Sequence, residues 1–170
     1  SPDLAAPLHA QAPKMLIAYF SWSGNTRGIA EQIHQKVGGD LIEIEPIRPY
    51  SRDYNTCLEE ARKDLDSQAR PELKTRLDNM AQYDVIFLGY PNWWSTIPMP
   101  VATFLTQYDL KGKTIVPFAS HGGGRLGQSV ADIAKLSPNA AILEALSVNY
   151  SGGGSLSRDI DVWLEKNGLK

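Results

Sequence analysis

The run Ser21-Trp22-Ser23-Gly24-Asn25-Thr26 follows an apolar stretch and leads directly into Arg27-Gly28-Ile29-Ala30. An apolar strand, a loop of hydroxyls and glycine, and then a helix can hold an anion without a lysine. The N–H groups of a first helical turn lack intrahelical partners and sit at the positive end of the helix dipole. Ser21, Ser23 and Thr26 add hydroxyl donors, and Gly24 and Asn25 suit a tight backbone with positive φ. The spacing is neither GxGxxG nor the Gly-Lys-Ser/Thr of a P-loop. An ordinary capped turn uses the same residue types, because Ser, Asn and Thr are common helix caps.

Two further segments carry unusual chemistry. In Pro91-Asn92-Trp93-Trp94-Ser95-Thr96-Ile97-Pro98, two adjacent tryptophans stand between prolines. They call either for a flat aromatic partner or for one packing on the sheet end and the other covering the following helix. In Ser120-His121-Gly122-Gly123-Gly124-Arg125, consecutive glycines let a backbone approach a planar ligand and aim N–H groups at it. A flexible loop without a partner has the same composition. Tyr50 and Tyr54, after the second strand, could reach over the site but read as surface packing, His9 and His34 as incidental. Cys57 reads as a semi-buried helix residue and is the single cysteine of the chain. It excludes an internal disulfide and a Cys-His metal cluster, and no spacing suggests a Ser-His-Asp triad or another metal site.

These segments need a scaffold, and the chain supplies alternating strand and helix signals. Strands are expected at 15–20, 40–45, 84–90, 113–120 and 140–148, with Pro117 producing a bulge or local distortion. The second, LIEIE, reads as half-exposed and close to a sheet edge. Helices are expected at 26–37, 54–68, 100–107, 125–136 and 156–167, with a further turn or two in 71–80. The pattern is α/β: a doubly wound, five-stranded parallel sheet, simplest in the order 2-1-3-4-5. In such a sheet ligands bind beyond the carboxyl ends of the strands, where the three segments above leave strands one, three and four.

The 170 residues suit one domain with a full core, expected over 15–170. Residues 1–14, rich in Ala and Pro, read as a disordered arm without the basic start and apolar run of a signal peptide. A net charge of −2 and the lack of a basic stripe argue against nucleic acid. No stretch is long enough to span a membrane. Cytoplasmic placement is the default expectation; an exported or lipid-anchored protein whose leading segment was removed is the alternative.

Taken in order, SWSGNT, GYPNWWSTIP and SHGGGRLG resemble the flavodoxin-like family, and within it short-chain bacterial members with a Pro-x-Trp-Trp loop. The resemblance runs from about Met15 to the C-terminus. It implies non-covalent FMN and electron transfer. On this resemblance, Ser21, Trp22, Ser23, Gly24, Asn25 and Thr26 would hold the phosphate, with Pro91, Asn92, Trp93 and Trp94 along one side of the flavin. Ser120, His121, Gly122, Gly123 and Gly124 would line the other side and the pyrimidine edge. The third loop lacks the tyrosine that many flavodoxins stack on the flavin, and Arg125 stands where many carry an acid.

The same resemblance bears on carrier against enzyme. Pro91-Asn92-Trp93-Trp94 has no glycine to let a carbonyl turn toward the flavin, although Asn tolerates positive φ. Weak support for a half-reduced flavin follows, which favours two-electron chemistry such as NAD(P)H-dependent reduction of quinones. A cation at His121 or Arg125 would favour the reduced, anionic ring. A one-electron carrier serving a redox partner protein, and a flavin-free binding module on the same fold, are the other readings.

Overall fold

A computed structural model describes residues 12–170. Six strands form one parallel sheet: β1 (Met15–Tyr19), β2 (Asp40–Glu43), β3 (Val85–Pro91), β4 (Thr114–His121), β5 (Ala141–Ile142) and β6 (Leu146–Asn149). The order is β2-β1-β3-β4-β5, with β6 also paired to β4. The expected topology and the edge position of β2 are therefore observed. Residues 1–11 of the expected arm, and His9 with them, lie outside the described residues. Lys14 is tied into the sheet: its N–H donates to Asp84 Oδ2 at 2.8 Å, and its carbonyl accepts from the Asp84 N–H.

Five helices cover the two faces: α1 (Asn25–Val37), α2 (Tyr54–Asp66), α3 (Met99–Gln107), α4 (Ser129–Leu136) and α5 (Leu156–Lys166). Alternation along the strands divides the core. Leu16, Ala18, Ile86, Leu88 and Tyr90 pack toward α3 and α4, while Ile17, Phe87, Val116 and Phe118 pack toward α1 and α5. Gly89 belongs to the second face, and a Cβ there would collide with the Phe118 ring. Both central strands are buried almost throughout, as a sheet covered on both sides requires.

Three expectations are corrected. Pro117 causes no bulge in β4, which keeps register with β3 through Leu88 and Pro117. The break falls in the neighbouring strand, which divides into β5 and β6 opposite Val116 and Pro117. The carbonyls of Ile115 and His121 face that edge and accept from Leu143 and Tyr150. Pro117 faces the same edge by period two and has no N–H to give. The interruption is closed from α5, where Trp163 Nε1 donates to the Glu144 carbonyl at 2.7 Å.

Segment 71–80 forms no helical turn before the short 3₁₀ turn Met80–Gln82. It runs antiparallel to the chain after β2, with Ile47 N–H donating to Glu72 O and Lys74 N–H to Glu45 O. Those cross-chain bonds use the backbone groups a helix would need. The third correction is at the start of α4, which begins at Ser129 rather than 125. Arg125 (φ 54°) and Gly127 (φ 51°) are left-handed and keep residues 125–128 in the loop.

Candidate functional site

The carboxyl ends of β1, β3 and β4 lie side by side, with Tyr19 level with Gly89 and Pro91 level with Ser120. The loops that leave them are fastened to one another. Thr26 Oγ1 lies 2.8 Å from Ser120 Oγ, both nearly fully buried. The Asn92 N–H donates to the Ser120 carbonyl at 2.8 Å, and Asn92 Nδ2 donates to the Arg125 carbonyl at 2.8 Å. The three segments singled out in the sequence thus form one surface.

The first loop does not end in an ordinary side-chain cap. The N-cap of α1 is Gly24, at φ 101°, a conformation that favours glycine and leaves no side chain to close the helix end. Ser21 Oγ instead accepts from the Gly24 and Arg27 N–H groups at 3.2 and 3.3 Å, and Ser23 Oγ from Asn25 N–H at 3.3 Å. These bonds are long, and the Ser21 and Ser23 hydroxyl hydrogens remain available to a ligand. The Thr26 hydroxyl faces the Ser120 hydroxyl, and either of the two can be the donor. The contact ties the loop to the end of β4.

The second loop is a tight turn in which Trp93 and Thr96 exchange backbone hydrogen bonds at 3.0 and 3.1 Å. Trp94 (φ 52°) and Ser95 (φ 65°) carry the left-handed backbone, and Asn92 does not. The tryptophans diverge. Trp93 turns inward, edge to face with Phe20 (5.2 Å) and Tyr50 (5.1 Å). Trp94 lies on α2 and not on the following helix α3, with Nε1 donating to the Leu58 carbonyl at 2.9 Å and the Arg62 guanidinium over its ring. Asn92 Oδ1 is buried without a hydrogen-bond partner among the described residues, an exception that calls for a missing donor.

In the third loop Gly122, Gly123 and Gly124 are exposed, forming a shelf. His121 Nδ1 accepts the Gly123 N–H at 2.9 Å, so the ring is neutral in this arrangement, with its proton on Nε2. Burial, and then the Arg125 charge, hold its pKa below the usual histidine value. In this arrangement the charged side chain beside the shelf is Arg125, while His121 is neutral.

Sequence reasoning missed several residues here. Tyr150, at φ 53° and exposed, sets its ring against Gly122 from the loop after β6. Its left-handed backbone next to Gly152 had no recognisable signal beyond a second glycine run, 152–154. Tyr50 is half-buried: it packs on Phe20 and Trp93 and donates to Asp64 at 2.6 Å. Burial, with the Asp64 hydrogen bond next, raises its pKa strongly. Arg52 crosses from the β2–α2 connection, its guanidinium 4.4 Å from the Trp22 ring centre and donating to the Trp22 carbonyl at 2.7 Å. Tyr54 is exposed, as expected, beside Trp22. Cys57 is more deeply buried than expected, and burial pushes its thiol up to about 11, far from a reactive thiolate.

A family model for flavodoxin matches residues 14–167. The chain belongs to the flavodoxin family. It is similar to the structure of a candidate flavoprotein from Bacteroides eggerthii DSM 20697, at 35% identity and TM-score 0.83, covering 94% of this chain and all of that one. A flavoprotein from Lactobacillus acidophilus NCFM, solved in complex with FMN, shares the fold at 22% identity and TM-score 0.73, covering 89% of this chain and 99% of that one. The uncharacterized NAD(P)H oxidoreductase YcaK of Escherichia coli (strain K12) is 23% identical over 86 residues, 48% of this chain. The chain spans 44% of that relative's length. Among the described residues no helix is long and apolar enough to cross a membrane, and no cluster of metal-ligating side chains occurs.

Proposed function

We propose that this member of the flavodoxin family holds FMN non-covalently and works as an NAD(P)H-dependent reductase of small acceptors such as quinones. The observation that carries the reading is the open end of α1, where a glycine cap, two serine hydroxyls and first-turn N–H groups meet. That donor set fits a phosphate dianion. The orphaned Asn92 Oδ1 fits a ring N–H donor on the glycine shelf. FMN in the Lactobacillus structure and the NAD(P)H oxidoreductase name of the Escherichia coli relative support the two halves of the reading.

Bound flavin would supply the redox chemistry, accepting electrons from a nicotinamide and passing them on. The chain's residues would do the rest. Ser21, Ser23 and the Gly24–Arg27 amides would hold the phosphate, and Gly122 to Gly124 would let the ring lie close to backbone. Tyr150 would cover the ring from the β6 side, supplying the aromatic that the third loop lacks. The exposed Arg125 guanidinium would offset negative charge gained at the pyrimidine edge.

The test is anaerobic addition of NADPH, then NADH, to FMN-reconstituted protein while the flavin absorbance is followed. Rapid bleaching is expected. A protein that stays yellow with both donors but is bleached by dithionite would instead be an electron carrier for a protein partner. Failure to retain FMN would remove the reading altogether.

A further inference from the structure

We infer that the cleft on the β2 side of the Ser21–Thr26 loop receives the adenosine-phosphate arm of a nucleotide. The inference rests on the phosphate-binding reading of that loop. The cleft has a volume of about 410 Å³, inside the roughly 300–1,000 Å³ span of small-molecule sites. It begins at Ser21–Gly24 and extends to residues 43–52, which leave and follow β2. The glycine shelf and Tyr150 lie in the other direction, beyond β4 and β6. A flavin ring on the shelf and a phosphate in the loop would therefore fill only the loop end of this cleft and leave the part along residues 43–52 open.

Three features of the cleft select its ligand. The first is cationic. Arg27 and Arg52 flank the loop on this side. Arg27 is paired to Glu43 at 2.8 Å. Arg52 makes no ion pair among the described residues and rests on Trp22. A guanidinium in that position suits a second phosphate next to the one in the loop, since its planar fork matches phosphate oxygens.

The second feature is acidic. Glu45 stands just beyond the end of β2 and lines the cleft, half exposed, with Lys74 Nζ 3.9 Å away. In the dinucleotide-binding version of the doubly wound sheet, whose GxGxxG spacing this loop does not share, an acidic residue about 20 residues after the first glycines binds ribose hydroxyls. Glu45 has that spacing from Gly24 and that place in the sheet. The third feature is apolar: Pro46, Pro49 and Tyr50 form a wall over the buried Ile44, and the Tyr50 hydroxyl is committed to Asp64. Such a wall fits a purine face. The cleft thus offers partners for phosphate, ribose and base within one set of lining residues.

The arm could belong to FAD bound in place of FMN, or to a separate adenine nucleotide such as NAD(P)H bound next to FMN. Calorimetric titration of the apoprotein with FMN and with FAD, and of the FMN-loaded protein with ADP, separates these. Expected is either FAD binding at least about tenfold tighter than FMN or micromolar ADP binding, with Glu45→Ala and Arg52→Gln each lowering that affinity about tenfold relative to FMN. A gain for FAD assigns the arm to the flavin, and ADP binding assigns it to a second nucleotide. FMN binding without either effect overturns the inference and leaves the flavin reading intact. A gain that both variants leave unchanged overturns it as well. A protein that binds neither FMN nor FAD removes both.

Discussion

Thr26 Oγ1 and Ser120 Oγ, 94 positions apart in the chain, meet at 2.8 Å in a site that is 1% exposed at Thr26 and 5% at Ser120. This bond fastens the first turn of α1 to the end of β4 and ties the Ser21–Thr26 loop to the strand that leads into the glycine shelf. Thr26→Val keeps the shape and leaves Ser120 without that partner. A loss of about 1–3 kcal/mol is expected in denaturant unfolding, the usual cost of an unsatisfied buried hydroxyl. FMN affinity should fall as well, because both ends of the ligand site lose their common anchor. Lost stability with unchanged FMN affinity would separate the loop from the cofactor.

Tyr150 carries the next expectation. An aromatic ring over flavin quenches its emission, so Tyr150→Ala should brighten bound FMN and weaken binding by about 0.5–1.5 kcal/mol, the range for aromatic pairs. Tyr150→Phe should restore both. Fluorescence and affinity identical to wild type in Tyr150→Ala would leave the ring as a prop for Gly122 alone.

The third loop is expected to respond to pH through His121. Its pKa is held below the reference 6.5 by burial and then by Arg125. Folding therefore favours the neutral ring, and the unfolded chain binds more protons between the two values. The stability that depends on neutral His121 is full above about pH 6.5 and falls as pH drops through the folded value. Protonation also removes the Nδ1 acceptor from the Gly123 N–H. Unfolding curves and FMN titrations between pH 7 and 5, compared with His121→Gln, should show the wild-type decline flattened in the variant. An equal decline in both would assign it to other groups.

How far the sequence discloses this site depends on which contacts are local. Strand order and loop positions follow from apolar runs and right-handed crossovers, and the structure has that order. The Ser21–Gly24 turn was legible for the same reason, since its residues bond to one another. Contacts that join distant segments were not. The side chain of Thr26 looks like a ligand donor until Ser120 is seen against it, and Trp93 and Trp94 look equivalent until one meets Phe20 and the other α2. Pro117 correctly signalled a broken ladder, but the break appears in the strand it fails to donate to. Tyr150 and Arg52 reach the site from loops without any motif of their own.

The second loop bears on how many electrons move at once. Its left-handed positions are filled by Trp94 and Ser95 instead of glycine, a conformation costing roughly 1–2 kcal/mol per residue. Tertiary bonds hold it: Trp93 O accepts from Thr96 N–H at 3.1 Å, and Ser95 O accepts from Gln128 N–H at 2.6 Å. Carbonyls already bonded inside the protein are poorly placed to turn toward a ligand. Reductive titration of the FMN-loaded protein should therefore proceed in one two-electron step, with no absorbance from a half-reduced flavin. Ser95→Gly should raise stability by about 1 kcal/mol by relieving the backbone, while Gln128→Pro, which deletes the Ser95 partner N–H, should free that carbonyl. A half-reduced species accumulating in the wild type would show that the turn moves despite its bonds, and would favour one-electron transfer to a protein partner.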